Sequence, residues 1–184
     1  MVPASGSGPP EVLLLAGQIA SGKTALATAL TEQTACGVIR VREALQEVLG
    51  GAEWDRQRLQ REGAALDQRS GGRWLLEYLQ DRVRAGGCWV VDAGRTRRQV
   101  EPILEALTGS RLVYLRAHES TRRRRYASAQ SIDAVKRSVS FDEAMNHPTE
   151  QEAATLAAMA HLVVDADDLS PAELGTEVRN WIGW

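Results

Sequence analysis

The stretch Gly17-Gln18-Ile19-Ala20-Ser21-Gly22-Lys23-Thr24 decides how the rest of the chain is read. It follows the apolar run Glu11-Val12-Leu13-Leu14-Leu15-Ala16 and leads into an Ala- and Leu-rich segment from Thr24 to Thr34. The pattern GxxxxGK[ST] thus lies between a buried strand and a helix, the context in which it cradles phosphate. Its glycines let the backbone close around phosphate oxygens. Its amides form an anion nest, and the helix N-terminus adds partial positive charge. Gly17, Ala20, Ser21, Gly22, Lys23 and Thr24 are the expected phosphate-binding positions. Lys23 is expected to reach the β- and γ-phosphates of ATP, and the Thr24 hydroxyl to ligate Mg²⁺.

Outward from the loop, short apolar runs alternate with helical patterns. Further strands are predicted at Val38–Val41, Cys88–Asp92, Arg111–Leu115 and His161–Asp165. Helices are predicted at 42–49, 54–69, 74–85, 96–108, from Ser120 onward, at 149–160, and from Ser170-Pro171 toward Trp184. Ala127 to Pro148 is polar and shows no clear period. Strand–helix alternation of this kind predicts an α/β chain: a three-layer, doubly wound, five-stranded parallel sheet, the P-loop NTPase fold. One domain is expected over 11–184, after a Pro-, Gly- and Ser-rich tail at 1–10 that reads as disordered.

The 184 residues carry a net charge of −2, with 43% apolar and 25% charged residues. That balance gives no pull toward nucleic acid or a membrane. No run approaches a membrane span, and residues 1–10 lack the apolar core of a signal peptide, so a cytoplasmic location is expected. Lys23 and Lys136 are the lysines among 22 basic residues, the rest being arginine. A lysine kept inside the loop is therefore informative, because ammonium and guanidinium are not interchangeable there. Cys36 and Cys88 sit beside predicted strands and read as buried free thiols. The three histidines share no metal-ligand spacing with them.

Val90-Val91-Asp92 ends a buried strand on a carboxylate, at the sheet edge where ligands of doubly wound folds bind. Asp92 is thus a candidate second Mg²⁺ ligand beside Thr24. Arginines collect at the same edge: Arg40 and Arg42 after the second strand, Arg95 with Arg97 and Arg98 after the third, and Arg122–Arg125 after the fourth. Guanidinium matches phosphate bidentately, so the cluster calls for more anionic charge than ATP alone. Arg123 and Arg124 read as solvated helix face. Trp54 and Trp74 read as core packing, with base stacking as the alternative. Thr149 is the predicted cap of the following helix, with Glu152 as its capping-box partner; a lid-closing contact from His147–Glu150 is the alternative.

Taken together, the loop, the Val-Val-Asp-Ala-Gly-Arg stretch with Glu101, the strand Leu112–Leu115, and Arg122 with Arg125 resemble the nucleoside monophosphate kinase group. The likeness is nearest to phage-type deoxynucleoside monophosphate kinases and adenylate-kinase-like ATPases, and runs in order from Glu11 to about Leu174. It implies an ATP-binding core, an acceptor-binding helical insert at about 42–85 and an arginine-bearing lid at about 122–148. It further implies that Arg95, with Arg42, grips the acceptor phosphate and that Arg122 and Arg125 contact the transferring phosphates. Ala93 stands where the group more often has glycine, and Arg40 to Glu43 does not reproduce the group's Asp-Leu-Leu-Arg pattern.

The expected activity is ATP-dependent transfer onto a small phosphate-bearing, nucleotide-like acceptor, with Lys23, Arg95, Arg122, Arg125 and Asp92 as the catalytic set. Two alternatives stay open. One is a kinase of another small metabolite, including a phosphorylated alcohol, with Asp92 or Glu43 as base. The other is an ATP-binding regulator with no acceptor. The oligomeric state is not readable.

Overall fold

The computed structural model describes residues 11–50, 56–84, 86–92, 94–130 and 139–184. The tail at 1–10, Trp54, Ala93 and the centre of the expected lid at 131–138 lie outside them. Five strands form one sheet: β1 (Glu11–Ala16), β2 (Gly37–Arg40), β3 (Cys88–Asp92), β4 (Arg111–Arg116) and β5 (Leu162–Asp165). All pairings are parallel, and the order is β2-β3-β1-β4-β5. The helices are α1 (Lys23–Gln33), α2 (Val41–Val48), α3 (Arg56–Ser70), α4 (Arg73–Val83), α5 (Arg97–Ala106), α6 (Glu119–Gln130), α7 (Phe141–Met145), α8 (Pro148–Thr155) and α9 (Pro171–Ile182). A 3₁₀ turn at Leu156–Met159 follows α8.

β1 is at the centre and buried on both faces, which is why it reads as an unbroken apolar run. Its side chains alternate between two cores. Val12, Leu14 and Ala16 pack with Leu75 and Leu79 of α4 and Ile103 of α5. Leu13 and Leu15 pack with Leu26 and Leu30 of α1 and with Leu174 and Val178 of α9. Helices therefore cover both faces, and the expected three-layer sheet is what forms. Register aligns the strand ends that matter: Leu15 pairs with Asp92, Arg40 with Asp92, and Ala16 with Tyr114.

Two local expectations are corrected. His147, not Thr149, caps α8: its Nδ1 accepts from Thr149 N at 3.3 Å, with Pro148 in the first turn. Glu152 makes no capping box and instead accepts from Arg97 N at 3.0 Å. The unpatterned stretch before α8 contains α7, whose Ser140 and Glu143 form a full capping box.

The cysteines are not free thiols. Cys36, just before β2, and Cys88, the first residue of β3, form a disulfide with Cα atoms 4.7 Å apart. Gly37 pairs with Trp89, so the parallel register sets the preceding cysteine directly beside Cys88. Their separation of 52 residues hides this in the sequence, because only the β2–β3 pairing brings them together.

Candidate active site

β1 ends where the chain must turn sharply under the sheet edge. Gly17 makes that turn with φ +140°, and a Cβ there would lie 2.5 Å from the Leu115 carbonyl oxygen, so only glycine fits. Ala20 also takes a positive φ of 60°. The loop closes on itself through Ser21 N to Gln18 O at 3.2 Å, and Ser21 is fully buried. Lys23, the first residue of α1, folds back across the loop. Its Nζ donates to Gly17 O at 2.6 Å, Gln18 O at 2.8 Å and Ser21 Oγ at 3.3 Å. Arg125 braces the same loop from α6, donating to Ser21 O at 3.1 Å and to Ala166 O, past β5, at 2.6 Å.

Four further charged groups surround Lys23. Asp92 is buried at the end of β3, and Arg95 follows it. Glu150 reaches in from α8, buried, and its Oε2 accepts from Ile19 N of the loop at 2.6 Å. Its Oε1 lies 3.7 Å from Arg95 Nη1. Arg122, also buried, has modest partners: Nε donates to Ala117 O at 3.2 Å and Nη1 to Met145 Sδ at 2.9 Å. It forms no ion pair with a carboxylate among the described residues. Burial first, and Arg95 second, lower the Lys23 pKa to about 8, against the opposing pull of Glu150 and Asp92. Burial likewise raises the Tyr114 hydroxyl above its ordinary value.

The Arg95 turn is held, through Gln99, by α3 and α4. Arg95 N donates to Gln99 Oε1 at 3.2 Å. Gln99 Nε2 donates to Asp67 Oδ2 of α3 at 2.9 Å, and the same carboxylate takes Trp74 Nε1 of α4 at 2.6 Å. Trp74 is buried core, with its indole N–H satisfied, so it is not a free stacking surface. The other arginines part company. Arg42 is exposed on the first turn of α2, and Arg40 pairs with Glu43 at 3.5 Å. Arg97 pairs with Glu101. Arg123 pairs with Glu119 and Asp142, so it is an ion-paired helix face and not a bare one.

The structure thus brings Lys23, Asp92, Arg95, Arg122 and the loop together, holds Arg125 on loop carbonyls, and leaves Arg42 at the rim. Glu150, Gln99 and Asp67 were not expected. Glu150 lies in the stretch that reads first as a helix cap, with a lid contact as the alternative, and nothing local marks the other two.

The donor set suits Mg²⁺. No cluster of three or more metal-ligating side chains occurs among the described residues. Mg²⁺ in nucleotide sites needs few protein ligands, since phosphates and water supply the rest. Among the described residues, the Thr24 hydroxyl and the buried Asp92 carboxylate make no side-chain hydrogen bond or ion pair that would tie them up. They would hold the ion, which would neutralise charge on the phosphates. One result follows from Lys23. Bound phosphates favour its ammonium form, so above about pH 8 nucleotide binding must take up a proton. ATP-Mg affinity is therefore expected to fall as pH rises past that point, by at most about tenfold per pH unit. Calorimetric titrations across that range check it; an affinity that is flat or rises would contradict it.

No helix among the described residues is long and apolar enough to cross a membrane. Solved structures share the fold over nearly the whole chain. A shikimate kinase from Bacteroides thetaiotaomicron matches at TM-score 0.65 and 14% identity, covering 95% of this chain and 99% of its own. An uncharacterized protein from Eubacterium ventriosum matches at 0.63 and 13%, covering 94% and 98%. A gluconokinase from Sinorhizobium meliloti matches at 0.53 and 17%, covering 95% and 92%. At these identities the likeness speaks to fold alone. No curated protein matches by sequence. Residues 13–146 match the family model described as an AAA domain, AAA_18, and the chain belongs to that family.

Proposed function

We propose that the chain transfers the γ-phosphoryl group of ATP-Mg to a phosphate-bearing small molecule, a nucleoside or deoxynucleoside monophosphate fitting best. The observation that carries this is Arg122. It is a buried guanidinium at the binding edge whose partners are a carbonyl, a thioether and the face of the Phe141 ring, with no carboxylate among the described residues. Such a charge is costly unless an anion meets it, and phosphate does so bidentately. With Arg95 across the loop, three cations (Lys23, Arg95, Arg122) face two carboxylates (Asp92, Glu150).

In this reading Lys23 binds the β- and γ-phosphates, and Thr24 and Asp92 hold Mg²⁺. Arg122 meets the moving phosphoryl group, and Arg95 and Arg42 take the acceptor's phosphate. Arg125, donating to Ser21 O and Ala166 O, shapes the loop on the donor side. An acceptor phosphate is already ionised near pH 7, so no general base is needed and catalysis is positioning plus charge neutralisation.

A second reading, a kinase acting on an alcohol, is favoured by the Asp92 carboxylate, which forms no ion pair among the described residues and could take the hydroxyl proton. Glu43 suits that role less, being exposed and paired with Arg40. The neighbours named as shikimate kinase and gluconokinase keep this reading in view. The deciding experiment is a panel of nucleoside monophosphates, deoxynucleoside monophosphates and small alcohols with ATP-Mg, read as coupled ADP release. Stimulation by a monophosphate supports the first reading and by an alcohol the second. A slow rate indifferent to every acceptor overturns both in favour of a nucleotide-binding regulator.

A further inference from the structure

Glu150 does something unusual for its position. It is the third residue of α8, where a glutamate ordinarily reaches back to the cap residue of its own helix. Here it leaves the helix and crosses to the phosphate loop, 131 residues away in sequence. Its carboxylate is buried, with 4% of the residue exposed, and its grip is uneven. Oε2 is held tightly by Ile19 N at 2.6 Å, while Oε1 faces Arg95 loosely at 3.7 Å. The Arg95 side chain is half exposed, so this second contact is weak and easily exchanged. A backbone N–H of the phosphate loop and an arginine are the two kinds of donor that a phosphate takes in such a site.

We propose that Glu150 is a specificity-determining residue: its carboxylate occupies the subsite that the terminal phosphate of a bound triphosphate takes, and yields it when that phosphate arrives. The proposal rests on the reading of the loop as the donor-nucleotide site. A diphosphate ends short of this subsite and leaves the carboxylate in place. A triphosphate must displace it from the loop, which frees Arg95 for the acceptor's phosphate, or lie against its charge. Glu150 therefore sets the preference of the site between the two nucleotides, holding triphosphate affinity down relative to diphosphate. After transfer, the returning carboxylate again neutralises Arg95.

The alternative is that Glu150 simply braces the loop, and the two predict opposite signs. Glu150→Gln keeps the shape and an oxygen that can accept from Ile19 N while removing the charge. Full-length protein and this variant are titrated calorimetrically with β,γ-methylene-ATP-Mg and with ADP-Mg. The expected result is triphosphate binding tightened about five- to twentyfold, with ADP affinity within about twofold of wild type. Weaker or unchanged triphosphate binding, or equal changes for both nucleotides, overturns the proposal. Should E150Q fail to fold, Glu150→Asp pulls the charge back by one methylene; a smaller shift in the same direction supports the proposal, and no shift or the reverse overturns it. If wild-type protein binds neither nucleotide, the donor-site reading falls and this proposal with it. If it binds both and the variant is indistinguishable, this proposal alone falls.

Discussion

Lys23→Ala is expected to abolish phosphoryl transfer, by at least the order of 10²–10³-fold typical of removing one group that stabilises transition-state charge, while the protein stays folded. The Lys23 ammonium bridges Gly17 O, Gln18 O and Ser21 Oγ, and no other side chain among the described residues donates a charged hydrogen bond to these three acceptors. Its neighbours cannot take over. Arg125 is committed to Ser21 O and Ala166 O, and Arg122 approaches from beyond β4. Stability has less to lose. The sheet and both cores do not depend on Lys23, so a shift in melting temperature of only a few degrees is expected. Lys23→Arg should be nearly as inactive, because a planar guanidinium cannot converge on three acceptors around one atom. Coupled ADP release beside a circular dichroism melt checks both variants. A folded K23A protein with wild-type turnover would remove the phosphate loop from the reaction.

The second large effect is on stability and comes from Gly72. It has φ +80°, and a Cβ there would sit 2.0 Å from the Arg98 carbonyl oxygen and 2.3 Å from its carbon. The obstacle is backbone, so it cannot rotate aside as a side chain would. Adding a left-handed strain of about 1 kcal/mol to an overpacking cost of about 1–3 kcal/mol, Gly72→Ala should destabilise the chain by roughly 3 kcal/mol. That is a drop of about 6–12 °C in melting temperature for a chain of this length. Gly71 provides the internal control, with φ +60° and nothing within 4 Å of its would-be Cβ. Gly71→Ala should carry only the strain, about 1 kcal/mol. Equal melting temperatures for the two variants would contradict the close approach of α4 to α5. The same displacement should reach the acceptor side. Pushing Arg98 away moves Gln99, which holds the Arg95 amide, so residual G72A activity should show a raised acceptor KM with ATP KM little changed.

What the sequence reveals and hides divides along a physical line. The strand–loop–helix at Glu11 to Gln33 is legible because each of its signals is local: an apolar run, a glycine turn and a helical period. The Ser170-Pro171 start is local too, and Glu173 completes its capping box. Asp92 and Arg95 are legible as edge residues because the sheet order places strand ends together. Partners separated along the chain are not legible. Glu150 meets Ile19 only because α8 packs under the loop, and Cys36 meets Cys88 only through strand register. Nor does a run of arginines announce its partners. Within Arg122–Arg125 one guanidinium is buried against a thioether, one is ion-paired, and one donates to two carbonyls. One local signal lies inside the stretch without a clear period: Ser140 and Glu143 carry the spacing of a capping box.

The bond between Cys36 and Cys88 has a topological consequence. The segment it closes contains β2, α2, α3 and α4, so that part of the chain is a covalent ring and not a branch with free ends. A protease that cuts the chain once anywhere inside that ring does not release a fragment. On a denaturing gel without reductant the nicked protein should still migrate as one species of about 20.1 kDa. With reductant it should fall into two pieces whose sizes locate the cut.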